Sequence, residues 1–294
     1  TRRVGCAERF VIEPPMMDEL GIIILTLSGV LSSVVNKPTS TTTPISPPAL
    51  IKSPALNGLK RINNTPEAKF DTEPCSARPI AKPAAAITAA NEVGIRIVLL
   101  HAFYAEGGFG IPTRGGQKRF ETSCIDSWWK QLDHLASSVD GNMQRVGTVA
   151  HSVRAVDIEL IQGIALGSIQ RGMPMHIHLE EQRQEIKACL ETHGVTPMAL
   201  LNDAIEVSPM VTAIHCTHTA PADMEQWLST GGNVCLCPLT EANLADGVCD
   251  MHRIVKQGGC LSIGTDSNSR ISMLEEKRNK GKWHRVQCRR AQPL

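Results

Sequence analysis

Histidine does not occur before His101 in this 294-residue chain, aromatic residues make up 3% of it, and none of its ten cysteines forms a Cys-x-x-Cys pair. Each scarcity excludes something. One Tyr, five Phe and four Trp are too few flat side chains for a platform that stacks single-stranded bases. Charged residues amount to 20% and the formal net charge is +1, so neither a polyanion partner nor a strongly acidic surface is indicated. The cysteines are scattered, and Cys235 and Cys237 sit at i and i+2 in a strand-like apolar run. They read as buried small hydrophobes of a reduced, intracellular chain in which disulfides are disfavoured. A long apolar segment is missing too. Gly21 to Val35 (GIIILTLSGVLSSVV) falls short of the ~20 apolar residues of a membrane-spanning helix, and has neither a clean basic start nor a convincing cleavage site. The expectation is a cytoplasmic protein without a membrane or nucleic-acid partner.

What is present divides into three. Residues 1–83 are irregular: Lys37 to Pro83 is rich in Pro, Thr, Ser and Asn and holds no helical or strand period, as loop or disorder would. From Ala84 to Glu276 the chain alternates βα. Apolar runs at Ile95–Leu100, Arg145–His151, Pro174–Leu179, Val211–Cys216, Asn233–Cys237 and Cys260–Asp266 read as strands. Helical patterns lie between them, among them Arg119–Ser137, Val153–Arg171, Glu180 to about Thr192, Thr196–Ile205, Pro221–Thr230 and Asp250–Gln257. Lys277 to Leu294 is basic and unpatterned. Strands alternating with helices imply a parallel sheet with right-handed crossovers. Polar residues decide its shape, because His101 and Tyr104, His151 and Arg154, His178 and Glu181, His215 and His218, Thr240 and Glu241, and Asp266 all fall at or just past a strand's C-terminal end. A site assembled from many strand ends is the habit of a β/α barrel, whereas an open sheet concentrates its site in one crevice.

The chemistry is anchored at Met175–Gln182 (MHIHLEEQ). Two histidines at i and i+2 of a strand share a face, and a carboxylate just beyond them suits a metal or acid–base site at a barrel mouth. Taken alone, His-x-His serves a merely solvated strand end equally well. Together with His215-Cys-Thr-His218 and Gly264-Thr-Asp266-Ser267, however, His178-x-x-Glu181 resembles the deaminase branch of the amidohydrolase superfamily. Tyr104-Ala-Glu-Gly-Gly-Phe109-Gly, Gly116-Gln-Lys-Arg-Phe120, Ala150-His-Ser-Val-Arg154, His176 to Gln182, Leu239-Thr-Glu-Ala-Asn-Leu244 and Ile263-Gly-Thr-Asp-Ser narrow the similarity to the formimidoylglutamate deiminases of histidine degradation. Six linked motifs in one order are a specific signal, where any one alone is weak.

The resemblance implies an α/β fold of the TIM-type (β/α) barrel kind and a single zinc ion held by His178 and Asp266. In it Glu181, His215 and Asp266 are catalytic: Glu181 shuttles protons, His215 polarises the attacking water, and Asp266 takes its proton. His176 is structural by the same comparison. Arg154 would hold the glutamyl carboxylate as a bidentate partner, with His151 and Tyr104 as polar contacts. The implied reaction is hydrolysis of the formimino C=N group of N-formimino-L-glutamate to give N-formyl-L-glutamate and ammonia. Relatives also carry a His-x-His pair on their first strand, and no such pair exists here. Counted back from Asp266, the strand at Ile95 is the third of eight. The expectation is therefore an incomplete barrel of about strands three to eight, truncated at both ends. It would have a zinc site short of ligands and weak or absent activity, with Gly21–Val35 as the candidate strand or helix to cover an edge. The alternatives are a non-catalytic fragment or pseudoenzyme, and a purine or pterin deaminase. A homodimer stays open.

Overall fold

The computed structural model describes residues 22–26, 81–122, 124–266 and 272–290. In chain order it begins with β1 (Ile22–Thr26), α1 (Ala81–Val93), β2 (Arg96–Phe103) and a small hairpin of β3 (Glu106–Gly108) and β4 (Ile111–Pro112). A 3-10 turn at Gly115–Phe120 leads to α2 (Ile125–Ser137), β5 (Gln144–Ser152), α3 (Ile158–Arg171), β6 (Met175–Leu179), α4 (Arg183–His193) and α5 (Pro197–Ala204). Then follow β7 (Val211–His215), α6 (Pro221–Ser229), β8 (Asn233–Leu236), α7 (Pro238–Asn243), α8 (Met251–Lys256), β9 (Leu261–Ile263) and α9 (Met273–Arg290).

Seven strands form one sheet in the order β1-β2-β5-β6-β7-β8-β9, every neighbouring pair parallel. Except for the β3–β4 hairpin, neighbours along the chain are neighbours in the sheet, with helices as crossovers. That is the winding of a β/α barrel. The six strands β2, β5, β6, β7, β8 and β9 form the half-barrel foreseen from the alternation, and β1 adds to its edge. Ile22 to Thr26 pair with Arg96 to Leu100, so part of the apolar Gly21–Val35 run does cover the free side of β2. The remainder of that run, and most of the irregular stretch before Ala81, lies outside the described residues.

The two faces of the sheet are unequal. On the helix side one large core joins Leu99, Phe103, Val146, Ala150, Met175, Ile177, Leu179, Val211, Ala213, Val234, Leu236 and Leu261 with Trp128, Leu132, Ile161, Ile164, Trp227 and Ile254 of the helices. Among the described residues the inner face carries two small clusters: Leu100, Ala102 and Val149, and Ile214, Cys235 and Cys237. Period-2 alternation sorts the residues to these faces. On the inner face of β6 it leaves His176 and His178, which interrupt the apolar pattern.

Local chemistry sets several boundaries. Asp157 caps α3 by accepting from the Glu159 amide, and Gly172 in the left-handed region (φ 61°) ends it. The helix therefore begins at Ile158 rather than at Val153, because Asp157 competes for the first free N–H groups. Thr196 caps α5 with Pro197 in its first turn. Elsewhere the structure departs from the sequence expectation. The polar stretch His101–Lys118, which by composition reads as one long loop, is partly ordered as the end of β2, the hairpin and the start of the 3-10 turn. The basic stretch from Lys277 is not irregular but continues α9 to Arg290, docked where Glu276 accepts from the Leu239 amide at 2.9 Å. Among the described residues six cysteines are free thiols, while Cys124 and Cys260 are disulfide-bonded, against the expectation that disulfides are disfavoured. Among the described residues no helix is long and apolar enough to cross a membrane.

Candidate active site at the strand ends

Parallel register brings the ends of the strands to one level. Phe103 lies beside Ala150, Ser152 beside His178, Leu179 beside His215 and Leu236 beside Ile263. Four rings from four strand ends consequently form a row. Tyr104 meets His151 edge-on with centroids 4.7 Å apart, His151 lies 4.8 Å from His178, and His178 lies 5.7 Å from His215. The Tyr104 hydroxyl accepts from Gln117 Nε2 at 3.1 Å, which ties the motif at Gly116 to the row.

Each central histidine has one ring nitrogen engaged. His178 Nδ1 is 2.8 Å from the His151 carbonyl oxygen. A carbonyl can only accept, so Nδ1 carries the proton and Nε2 keeps its lone pair. His215 Nδ1 lies 3.2 Å from Glu241 Oε1, and the same oxygen accepts from the Cys237 amide at 2.9 Å. On its other side, His215 Nε2 is 3.8 Å from Glu181 Oε1 and 3.9 Å from Asp266 Oδ2. Alternation would send His215 to the helix side with Val211 and Ala213. Left-handed backbone at His215 (φ 75°) and Cys216 (φ 51°) breaks that alternation, and Asp266 (φ 49°) and Glu180 (φ 53°) are of the same kind. Such conformations cost of order 1–3 kcal/mol each and cluster where a site needs them.

Glu180 shows what holds one of them. Its side chain accepts from the Met198 amide at 3.0 Å, its carbonyl accepts from the His218 amide at 3.2 Å, and its own amide donates to Glu185 Oε1 at 3.2 Å. The turn after β6 is thereby fixed, and Glu181 projects towards His215. Glu181 is therefore not in the first turn of a helix, as the sequence pattern suggested, because α4 begins only at Arg183 with Gln182 as its N-cap.

Charge states follow from burial and neighbours. Burial, then the charge of His215, holds the His178 pKa down to about 4. Burial, then His178 and Arg154, holds His151 well below the usual histidine range. Burial opposes charging of His215 as well. Its hydrogen bond to Glu241 and the charges of Glu181 and Asp266 outweigh that, and its pKa is pushed up to about 9. Burial raises the Glu181 carboxyl against the pull of His215. Two neutral imidazoles thus stand beside a protonated one flanked by carboxylates, an arrangement able to bind a cation and relay protons.

Among the described residues, His215, Cys237 and Asp266 offer donor atoms within 4.8 Å of one another, with the free Nε2 of His178 on the adjacent strand. An imidazole whose second nitrogen is tied to a carbonyl is a usual ligand of zinc, so His178, Asp266 and Cys237 suit the metal that the sequence motifs imply, while His215, protonated on both nitrogens, stands beside them as a hydrogen-bond donor. Arg154 follows β5, half-buried, and its charge bears on His151, His178 and Glu185. Among the described residues no carboxylate lies in ion-pair contact with it.

Tyr104, His151, Arg154, His178, Glu181, His215 and Asp266 thus gather at one mouth. His101 does not. It lies within β2, stacked on Trp128 at 5.3 Å on the helix side. His176 is buried below His178, with its Nδ1 unpartnered among the described residues. Three residues of the site receive no role from sequence alone: Glu180, Glu241 and Cys237. The i to i+4 spacing of Cys237 and Glu241 across Pro238 was the available signal, since it marks a short helix whose first-turn carboxylate reaches back to its N-cap.

A parallel half-barrel with histidines and carboxylates on its strand ends belongs to the barrel proteins that build metal-assisted sites. The chain is a member of the amidohydrolase family, whose profile matches residues 68–292. That match takes in residues on either side of the motif-bearing stretch Ala84–Glu276. The formimidoylglutamate deiminase of Pseudomonas aeruginosa is 34% identical over 191 residues, 65% of this chain and 42% of its own length. A 5-methylthioadenosine/S-adenosylhomocysteine deaminase of Pelotomaculum thermopropionicum is 32% identical over 120 residues, 40% of this chain and 28% of its own. The crystal structure of an amidohydrolase from Brucella melitensis superposes with a TM-score of 0.63 at 30% identity, over 69% of this chain and 45% of that one. An adenosine deaminase from Xanthomonas campestris with bound zinc shares the fold, with a TM-score of 0.59 at 21% identity over 69% of this chain and 44% of that one. The chain spans less than half the length of each of these relatives.

Proposed function

We propose hydrolytic deimination of N-formimino-L-glutamate to N-formyl-L-glutamate and ammonia, with zinc as cofactor. The observation that carries this is Arg154, a cation without an ion-paired carboxylate among the described residues, whose charge bears on His151 and His178 in the row that leads to Glu181 and Asp266. A glutamyl carboxylate supplies the missing counter-charge in bidentate form. Similarity to the Pseudomonas deiminase supports the same substrate.

His178 Nε2 and Asp266 would hold the zinc, with Cys237 in reach. When bound, zinc lowers the pKa of a coordinated water towards neutrality and polarises the group under attack. The side chains supply the rest. Asp266 accepts a proton from the attacking water. Glu181, its pKa raised by burial, is suited to pass protons to the leaving nitrogen. His215, kept protonated and oriented by Glu241, stabilises negative charge on the attacked centre. One water is consumed: its oxygen ends on the formimino carbon, the bond to the imino nitrogen breaks, and that nitrogen leaves as ammonia. The His-x-His pair of the first strand is absent from this sequence. Fewer ligands than a catalytic zinc normally has make slow turnover by this chain the expected result.

The test combines turnover with binding. Zinc-loaded protein should release ammonia from N-formimino-L-glutamate, slowly, and Glu181→Gln should abolish the release. N-formyl-L-glutamate should bind measurably by calorimetry, and Arg154→Ala should weaken it ~10- to 100-fold, the loss of a charge-assisted bidentate contact. Release of ammonia from an adenine nucleoside instead would favour the purine reading to which the 5-methylthioadenosine deaminase similarity points. Neither zinc retention nor turnover would mark a non-catalytic member of the family.

A further inference from the structure

Away from the strand ends, α8 and α9 bring together His252, His284 and Cys288, with donor atoms all within 4.8 Å of one another. His284 and Cys288 stand at i and i+4 on α9 and so share one helix face. His252 reaches them from the first turn of α8. Cys288 Sγ is 3.5 Å from His252 Nδ1 and 3.6 Å from His284 Nε2. Zinc–nitrogen bonds of about 2.0 Å and zinc–sulfur bonds of about 2.3 Å, spread at a tetrahedral angle, place nitrogen and sulfur about 3.5 Å apart. Both S···N edges therefore already have the length that a shared ion requires.

The scaffold around these donors is braced. The Gln287 side chain accepts from the His252 amide at 3.3 Å and donates to the Cys249 carbonyl at 2.7 Å, fixing α9 in register with the start of α8. Cys288 is a free thiol, and all three side chains are half-buried, so solvent reaches the cluster. Two imidazoles and a thiol are borderline-soft donors, which favour zinc over magnesium or calcium.

We propose that His252, His284 and Cys288 form a second metal site, of zinc type, that clamps α9 onto α8, with water in the fourth position. It shares no residue with the strand-end site and does not depend on the proposed reaction. With metal bound, the clamp ties the last described helix to the body of the sheet, a contact otherwise made by Trp283 packing, the Gln287 bonds and Glu276.

Cobalt provides the test, because thiolate-bound Co2+ absorbs in the near ultraviolet. Metal-free full chain titrated with Co2+ should develop a sulfur-to-cobalt band. The band should shrink in Cys288→Ser, survive in Cys237→Ser, which removes the thiol of the strand-end site, and vanish when both are replaced. His284→Ala should weaken Zn2+ at this site at least tenfold in a chelator competition. Zinc should raise the Tm of the wild type by more than that of Cys288→Ser, which keeps only the strand-end site, with far-ultraviolet circular dichroism confirming that both are folded. A band that Cys237→Ser abolishes, or no band at all, would overturn the site.

Discussion

Glu185 is buried with no lysine or arginine in ion-pair contact among the described residues, and its protonation should be visible in stability. Burial raises its pKa to about 7, against the opposing hydrogen bond from the Glu180 amide and the charge of Arg154. An unfolded glutamate titrates near 4.5, so the folded state binds the proton more tightly. That advantage is complete below the unfolded value and is lost as pH rises through the folded one. Between about pH 4.5 and 7, Glu185 should therefore make stability fall, by up to ~3 kcal/mol in all. Glu185→Gln keeps an oxygen acceptor for the Glu180 amide and removes the titration. Urea unfolding from pH 5 to 8 should show a flatter profile for the variant and higher stability than wild type at pH 8. Identical pH slopes would refute this. At this scale His178, Glu181, His215 and Asp266 were legible because strand ends and motif spacing mark them. The roles of Glu180 and Glu241 were not, since they depend on backbone amides that only the folded turns present.

Helix α3 shows how far an element can be read from its sequence. Its helical pattern and its end at Arg171 were read, yet the pattern says nothing about what its two interior glycines face. Gly163 is exposed, with open space where an added methyl would stand, whereas a Cβ on Gly167 would meet the Trp129 ring at 2.5 Å. Gly163→Ala should therefore stabilise by about 0.5–1 kcal/mol, the ordinary helix-propensity gain. Gly167→Ala should destabilise by about 1–3 kcal/mol, because a packed ring must shift. Thermal melts of the two variants should move Tm in opposite directions, and equal shifts would refute the packing argument. The elements that escaped the sequence reading are α7, the β3–β4 hairpin and the later turns of α9. The hairpin strands, three and two residues long, are too short to show an alternation, and the six residues of α7 were read only as part of a motif. On α9 charged residues outnumber apolar ones, so what holds it is the contact with α7 and α8 rather than an apolar stripe of its own.

For the whole molecule, barrel winding was legible because it depends on order alone: strand, helix, strand, with polar residues at each strand's end. The unequal faces were not, since they depend on which strands close the interior. On the helix side the sheet has a continuous core; on the inner side, among the described residues, it has two small clusters. Local stability should follow that division and the position of each strand in the sheet. Strands β5, β6 and β7 have a parallel partner on both sides, and Val149, Ile177, Leu179 and Ala213 on them are fully buried. Strand β9 has three residues and pairs only with β8 among the described residues. Opening β9 breaks one ladder and exposes little apolar surface, while opening β6 breaks two and uncovers the core beneath α3 and α5. Amide hydrogen exchange should therefore be slowest in Met175–Leu179 and its two neighbours. In Leu261–Ile263 it should be at least ~100-fold faster, because edge segments open locally without global unfolding. Uniform protection from β2 to β9 would mean that the half-barrel opens only as a unit, and that its inner face is covered by more than the two clusters.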